Sequence, residues 1–431
     1  MSVGRRIGGP ILGACVSDVV ALVLSGGGGE RVSVLSSERA VSAIPFGGKY
    51  RIIDFVLSNC RHSGVNRIGV LTQHAPTSLH DHIGSGRPWD LDARDRGVMI
   101  LQPYLTRGTA GWYRGTADAI AQNWDLIRDL GCSRVLVLSG DHVYRMDYRA
   151  LLEFHAASDA TVTMGVTRVP AEETHRFGMV TVDGEGRVAG LIEKPDRAET
   201  PFASMGIYAF ETAALGAALR EGAVDLVADV LAPLARAPRG VRAFEFEGYW
   251  EDVGTIGSYY RASLDLVAAR PRLALDDRSW PILTRDEERP PVRVGDGACI
   301  ESSLISNGCR IAGTVVRSVL SPGAVVGADA RIEDAVIFQD VVIERGAEVR
   351  RTIVDKFARI GEGATVGGPG TAGPRWLEGL VLVGKDGRVP ADARIEPGVV
   401  VGVGARPEDF APGLLRSGAQ LANHTWYGED E

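Results

Sequence analysis

At 431 residues the chain is long enough for two cores of ordinary size, and 45% apolar with 24% charged residues is the make-up of a globular protein. A formal net charge of −8 argues against a nucleic-acid partner, and no run of about 18 apolar residues is there to cross a membrane. Five cysteines (Cys15, Cys60, Cys132, Cys299, Cys309) without CxxC spacing or an even framework point to reduced, mostly buried thiols and a cytoplasmic protein.

The N-terminal segment joins Arg5-Arg6 to a short apolar run ending at Cys15, a faint echo of an export signal. Gly8, Gly9 and Pro10 interrupt that run, so it reads as the approach to the first strand and not as a leader. Residues 19–24 predict a buried strand that runs into the glycines at 26–29. A helix over 55–63, a strand over 67–71, an amphipathic helix over 117–130 and a strand over 133–138 follow, the last ending at Ser139-Gly140-Asp141. This alternation predicts an α/β fold: a Rossmann-like, mostly parallel sheet covered by helices. Ligands of such sheets sit beyond the carboxyl ends of the strands, where the glycines and Asp141 fall.

From about residue 290 the grammar changes. Aliphatic residues recur at Leu320, Val326, Ile332, Ile337, Ile343, Val349, Val354, Ile360 and Val366, always five or six apart, with small residues after many of them. Val294, Ile300, Ile305 and Ile311 fit the same rhythm. A hexapeptide step with small corner residues is the signature of a left-handed parallel β-helix, whose coils must stack to close a core. The chain is therefore expected to divide into an α/β domain at 1–265, a linker at 266–291, rich in Pro and charge from Pro271 on, and a β-helix with a tail at 292–431.

The glycine run of Leu24-Ser25-Gly26-Gly27-Gly28-Gly29-Glu30-Arg31 allows backbone amides to approach phosphates, with Arg31 placed to pair with their oxygens. It lacks the Gly-Lys-Ser/Thr of a P-loop and the third glycine of a dinucleotide fingerprint. Alone it fits a flexible turn as well as a nucleotide site. Only four of the 47 Lys and Arg residues are Lys (Lys49, Lys194, Lys356, Lys385), so a Lys inside a motif stands out.

Several stretches taken together resemble the ADP-glucose pyrophosphorylase family of sugar-nucleotide pyrophosphorylases. They are Phe46-Gly47-Gly48-Lys49-Tyr50-Arg51-Ile52-Ile53-Asp54, Trp112-Tyr113-Arg114-Gly115-Thr116, Gly140-Asp141-His142-Val143-Tyr144, Glu193-Lys194-Pro195, Ala203-Ser204-Met205-Gly206 and Tyr249-Trp250-Glu251-Asp252. The resemblance covers roughly residues 19–400 and implies an adenylyltransferase that makes ADP-glucose and pyrophosphate from ATP and glucose 1-phosphate. By the same resemblance Arg31 and Asp141 are catalytic, and Gly26, Gly27, Gly29, Arg31 and Gly115 take the nucleotide. Tyr113, Gly178, Glu193, Lys194 and Ser204 would meet the sugar phosphate, and Asp141 with Asp252 would hold Mg²⁺, the expected cofactor. A homo- or heterotetramer with a small-molecule effector between the domains is implied as well. Asp118 and His142 receive no direct role.

The pattern breaks at Val41, where the family has a Lys that contacts the triphosphate. The segment Gln102-Pro103-Tyr104 lacks the glutamines that follow the proline in the family, and only Asp225 survives of a His-Asp-Phe-Gly stretch. These losses fall on the nucleotide side. They leave open an active enzyme, a weak regulatory subunit, and an enzyme of altered sugar or base preference. Acyl transfer, the other chemistry of hexapeptide helices, needs a general base such as His, and none of the eight histidines lies between 176 and 423. His74, His80 and His82 have metal-like spacing but are expected to be solvated or capping residues.

Overall fold

The computed structural model describes residues 16, 18–27, 29–93, 96–104, 111–219, 222–410 and 413–422, with Glu30 and Arg31 described by backbone alone. The Arg5-Arg6 to Cys15 segment, Gly28, the Arg31 side chain and His424 lie outside that description.

Parallel strands Gly97–Leu101, Arg67–Thr72, Val19–Ser25 and Arg134–Ser139 lie side by side and form one half of a nine-stranded sheet. The other half is built on Phe202–Glu211, which runs antiparallel to Arg134–Ser139, Val162–Arg168 and Gly178–Val182. The sheet is thus mixed: the parallel pattern predicted from the first 140 residues stops where helix crossovers give way to hairpins. Helix Ile52–Ser63 starts earlier than its apolar spacing suggests, because the Arg51 N–H donates to Asp54 Oδ2 at 2.8 Å in a capping box. Gly64, at φ 80°, closes it in the left-handed conformation that glycine takes without strain.

The single helix expected over 117–130 is two, Thr116–Gln122 and Trp124–Asp129. Asn123 breaks it: its Nδ2 donates to Ala119 O and Tyr113 Oη while its own backbone leaves helical geometry (φ −103°, ψ 9°). A side-chain amide that bonds backbone locally competes with the helix ladder.

Beyond Arg293 the chain winds into three parallel sheets of six, seven and six short strands. Each strand pairs with the one a coil later, Leu320 with Ile337 and Ile332 with Val349, for example. All nine aliphatics from Leu320 to Val366 are buried, one to each face of a coil. Val294 and Ile300 keep the rhythm but are 54% and 38% exposed, because the first coil has no coil stacked before it.

Between helix Ile256–Asp265 and the first coil, the Pro-rich segment packs on the α/β domain. Trp280 Nε1 donates to Asn59 Oδ1 at 3.0 Å, Leu283 N donates to Ser58 Oγ at 2.9 Å, and Arg145 pairs with Asp277. The two domains share a core in which Phe46, Phe55 and Tyr259 pack with Phe338, Val319, Val336 and Ile353 of the β-helix. Each such side chain, fully buried, contributes about 1.5–3 kcal/mol. Within this apolar seam Arg39 Nη1 donates to both oxygens of Asp355, at 2.9 and 3.0 Å, with both residues buried. Among the described residues no helix is long and apolar enough to cross a membrane.

Candidate active site

Parallel strands Val19–Ser25 and Arg134–Ser139 end at the same edge of the sheet. Beyond the first lie Gly26, Gly27 and Gly29; beyond the second lie Gly140 and Asp141. Gly140 has no room for a side chain, since a Cβ there would run into Ser25 Oγ and stand 2.8 Å from Leu24 O. Ser25 Oγ itself is buried without a hydrogen-bond partner, at the entrance to the glycine loop. Gly29 adopts φ 64° and caps the turn Glu30–Ser36, and its carbonyl accepts from Ser36 Oγ at 2.7 Å. Val41 is buried against that corner.

Asp141 accepts from Ser139 Oγ at 2.6 Å. The next residue opens strand His142–Tyr144, which pairs antiparallel with Trp250–Asp252 so that Asp252 stands opposite His142. Gly254 N donates to Asp252 Oδ1 at 2.7 Å. One ligand atom each of Asp141, His142 and Asp252 lies within 4.8 Å of the others, a donor set able to hold a divalent cation. The sequence motifs carry both aspartates and give His142 no direct role; its place opposite Asp252 depends on strand pairing that no local spacing reveals.

Beside this cluster opens a cleft of about 150 Å³ whose lining includes His142, Asp252, Gly178, Glu193, Lys194 and Ser204. Gly178 faces Glu193 across an antiparallel pair, where a Cβ would sit 3.0 Å from Glu193 Oε2. Lys194 adopts φ 42°, in the left-handed region, where a side chain of this size costs about 1–3 kcal/mol. Its N–H is held by Phe177 O at 3.0 Å and its Nζ lies 2.9 Å from Glu193 Oε1. Ser204 Oγ bonds Tyr208 Oη at 3.0 Å beside an irregularity in the strand register. Burial pushes the Tyr208 phenol up to about 12, so it stays a neutral hydrogen-bonding group.

Arg176, which no motif had indicated, also lines the cleft. Its guanidinium reaches Glu173 and, at 3.0 Å, Glu251, and lies 4.8 Å from the centre of the Phe177 ring. Burial raises the Glu251 carboxyl despite Arg176 and Arg272 beside it.

Tyr113 and Gly115 lie off this cleft's lining. Tyr113 is buried, with its N–H on Gln73 Oε1 and its hydroxyl accepting from Asn123. Gly115 allows close packing, since a Cβ would meet Val224 O at 2.5 Å. Asp118 is structural: it accepts from the backbone and guanidinium of Arg114 and from Gln122. Asp225 caps the helical turn that follows it through the N–H groups of Val227 and Ala228. The expectation of a solvated or capping His82 is overturned. It is buried, edge-on to Trp89, with Nε2 2.5 Å from buried Asp54 Oδ1.

A nucleotidyl transferase family model matches residues 20–269, more than half of the chain. The chain also aligns with the glucose-1-phosphate adenylyltransferase of Thermomicrobium roseum at 47% identity over 417 residues, 94% of this chain and 97% of that protein. It belongs to the glucose-1-phosphate adenylyltransferase, or ADP-glucose pyrophosphorylase, family. Relatives of the same name from Thermotoga maritima and Acetivibrio thermocellus are 40% and 36% identical, over 94% and 91% of this chain and 98% and 95% of theirs. A GlmU-like C-terminal hexapeptide model matches 292–372, in keeping with a left-handed sense for the β-helix. The protein is a nucleotidyltransferase, and the edge of the sheet that carries Asp141 and Asp252 is its candidate active site.

Proposed function

We propose that the chain joins ATP and glucose 1-phosphate to give ADP-glucose and pyrophosphate. One observation carries this reading most: Glu193, Lys194 and Ser204 line a single cleft together with Asp252, next to Asp141, in a chain of this family. A phosphate oxygen of the sugar phosphate attacks the α-phosphorus of ATP, the bond to the β-phosphate's bridging oxygen breaks, and pyrophosphate leaves. No covalent nucleophile is needed, so the protein's work is positioning and charge neutralisation.

In this reading Lys194 holds the sugar's phosphate as a point charge and Glu193 accepts from sugar hydroxyls. Gly178 leaves space for the ring, and Ser204 completes the sugar side. Gly26, Gly27, Gly29, Arg31 and Gly115 take the triphosphate, with Arg31 neutralising charge that grows at the reacting phosphorus. Asp141 and Asp252 carry Mg²⁺, which when bound draws negative charge from the phosphate oxygens. The donor chemistry fits, with two carboxylates on adjacent strand ends facing one gap.

Residues 1–265 act as the catalytic unit, 266–291 as a strap and 292–431 as a docking and oligomerisation domain of a tetramer. A polar effector of mixed charge would suit the cavity of about 460 Å³ whose lining sets Lys49, Arg51, Arg285 and Arg289 against Asp286, Glu287 and Glu288. Burial, with Arg51 and Arg39 close by, pushes the Lys356 ammonium down to about 7, and Gln339 Oε1 is buried without a partner.

The test is pyrophosphate release with Mg²⁺ and ATP, UTP, GTP or dTTP, each with glucose 1-phosphate and glucosamine 1-phosphate. Turnover with ATP and glucose 1-phosphate above all other pairs is expected. Silence across the panel with sugar phosphate still bound would replace this reading with a regulatory subunit.

A further inference from the structure

No step in that scheme uses Arg176, yet it lines the cleft and its side chain is only 16% exposed. It ends the turn Ala171–Arg176, directly before Phe177 and Gly178 of the cleft wall. From there its guanidinium crosses to the strand of Asp252, where Nη2 donates to Glu251 Oε1 at 3.0 Å and lies 3.5 Å from Asp252 O. Nη1 donates to Glu173. The same group packs 4.8 Å from the centre of the Phe177 ring, and that ring leans on Trp250 with centroids 5.3 Å apart.

Each end of this bridge carries part of the proposed substrate site. At one end Phe177 O accepts from Lys194 N–H at 3.0 Å, and Gly178 stands opposite Glu193 in the strand pair. At the other end Trp250 and Asp252 line the cleft, and Glu251 between them does not. Alternate residues of a strand face opposite sides, so Arg176 holds that strand by the face turned away from the cleft. Both terminal nitrogens are engaged with carboxylates, so the guanidinium orients protein groups. Glu251 is mostly buried and its other oxygen lies 3.8 Å from Arg272 Nη2, so without Arg176 its charge is poorly matched.

We propose that Arg176 is a positioning residue for the sugar phosphate. Acting through Glu251, it sets the wall that carries Glu193 and Lys194 at a fixed distance from the strand that carries Asp252. The inference rests on the sugar-phosphate reading above and adds the group that keeps the two sides of that site in register. Attack needs the phosphate oxygen within about 3–3.5 Å of the α-phosphorus and in line, and an error of about 1 Å can cost about a hundredfold.

The experiment measures initial rates of the full chain with ATP, glucose 1-phosphate and Mg²⁺, and glucose 1-phosphate binding by titration calorimetry. Arg176→Met and Glu251→Met should each raise the KM for glucose 1-phosphate by about tenfold or more, with the KM for ATP within about threefold. The double variant should be no worse than either single one, because the two residues form one unit. Arg176→Lys keeps the charge without the planar fork, so its KM for glucose 1-phosphate should stay at least about threefold above wild type.

A fall in kcat with both KM values unchanged would overturn the proposal, since loss of folded protein alone does that. Additive effects of the two Met substitutions would overturn it, and so would a wild-type KM in Arg176→Lys. The calorimetric affinities make the same comparison where turnover is too slow to follow, and Arg176→Lys decides the matter if a Met variant fails to fold. Lys194→Gln separates this proposal from the reading beneath it. Glucose 1-phosphate weakened by Lys194→Gln and indifferent to Arg176 would overturn only the positioning role. Glucose 1-phosphate that does not bind, or binds indifferently to Lys194→Gln, would overturn the sugar-phosphate reading and this inference with it.

Discussion

A Cβ added to Gly29 would stand 2.5 Å from Val41 Cγ2, so the corner of the glycine loop and the position where the family resemblance implies a lysine occupy adjoining space. Gly29 also sits at φ 64°, where an L side chain is strained. Gly29→Ala therefore meets two penalties: about 1–2 kcal/mol for the backbone and the contact with Val41. The expected result is a fall in kcat/KM of about tenfold or more. Trimming the methyls in Gly29→Ala/Val41→Ala should restore part of it, and a double-mutant cycle on pyrophosphate release measures how much.

Val41→Lys tests the same corner from the other side. Position 41 is buried in the core shared by Val32, Leu35 and Ile44, so the new ammonium must extend past Gly29 toward the loop to stay hydrated. Turnover should rise about tenfold or more if the triphosphate lacks that contact, at a stability cost of about 1–3 kcal/mol. Val41→Met, with similar length and no charge, should show the cost without the gain. Equal rates in all three proteins would mean that no contact is missing.

Lys194→Gln keeps length and removes charge from a residue poised over the cleft. The KM for glucose 1-phosphate is expected to rise about tenfold or more, with a smaller change in KM for ATP. Lys194→Arg should not rescue it, because a planar fork cannot replace a point charge beside Glu193. A parallel rise in both KM values would remove Lys194 from the sugar side.

Asp355→Ala would leave the Arg39 guanidinium buried and unpaired. Removal of one partner of such a pair costs about 3–5 kcal/mol, so a clear loss of melting temperature is expected. Replacement of both residues by apolar ones of similar volume should recover most of the stability. Thermal unfolding followed by calorimetry compares the three proteins.

His155 gives stability a pH dependence of known sign. Burial, with Arg134 adding to it, pushes its imidazole down to about 4, and its Nδ1 is 2.9 Å from Thr163 Oγ1. Between about 6.5 and about 4 the unfolded chain takes up a proton that the folded chain refuses. That stability is fully present above about 6.5 and is lost as pH falls toward 4, about 3 kcal/mol in all. His155→Gln should flatten this part of the urea-unfolding profile, and an unchanged slope would assign it to other groups.

The β-helix was legible because its signal repeats: each of nine aliphatics falls on a buried face, and only the uncovered first coil departs. Half of the sheet was legible for the opposite reason, since strands such as Val19–Ser25 are continuous apolar runs. The hairpin half and the break at Asn123 depended on pairings and side-chain bonds between distant residues. At the site, the sequence placed Asp141, Asp252, Glu193 and Lys194, each inside a local motif. It gave no role to His142 and Arg176, whose places come from a strand partner and a salt bridge across 75 residues.

Arg39 and Val41 are two residues apart, so roughly 7 Å of chain joins the buried ion pair on the β-helix to the corner of the glycine loop. A tether that short has almost no slack. A ligand that tilts the β-helix by even an ångström must move the loop or break the pair, and thermodynamic reciprocity then requires that a triphosphate on the loop pull back equally. Were a ligand to act in that way, the resting position of the second domain would become part of the affinity of the first.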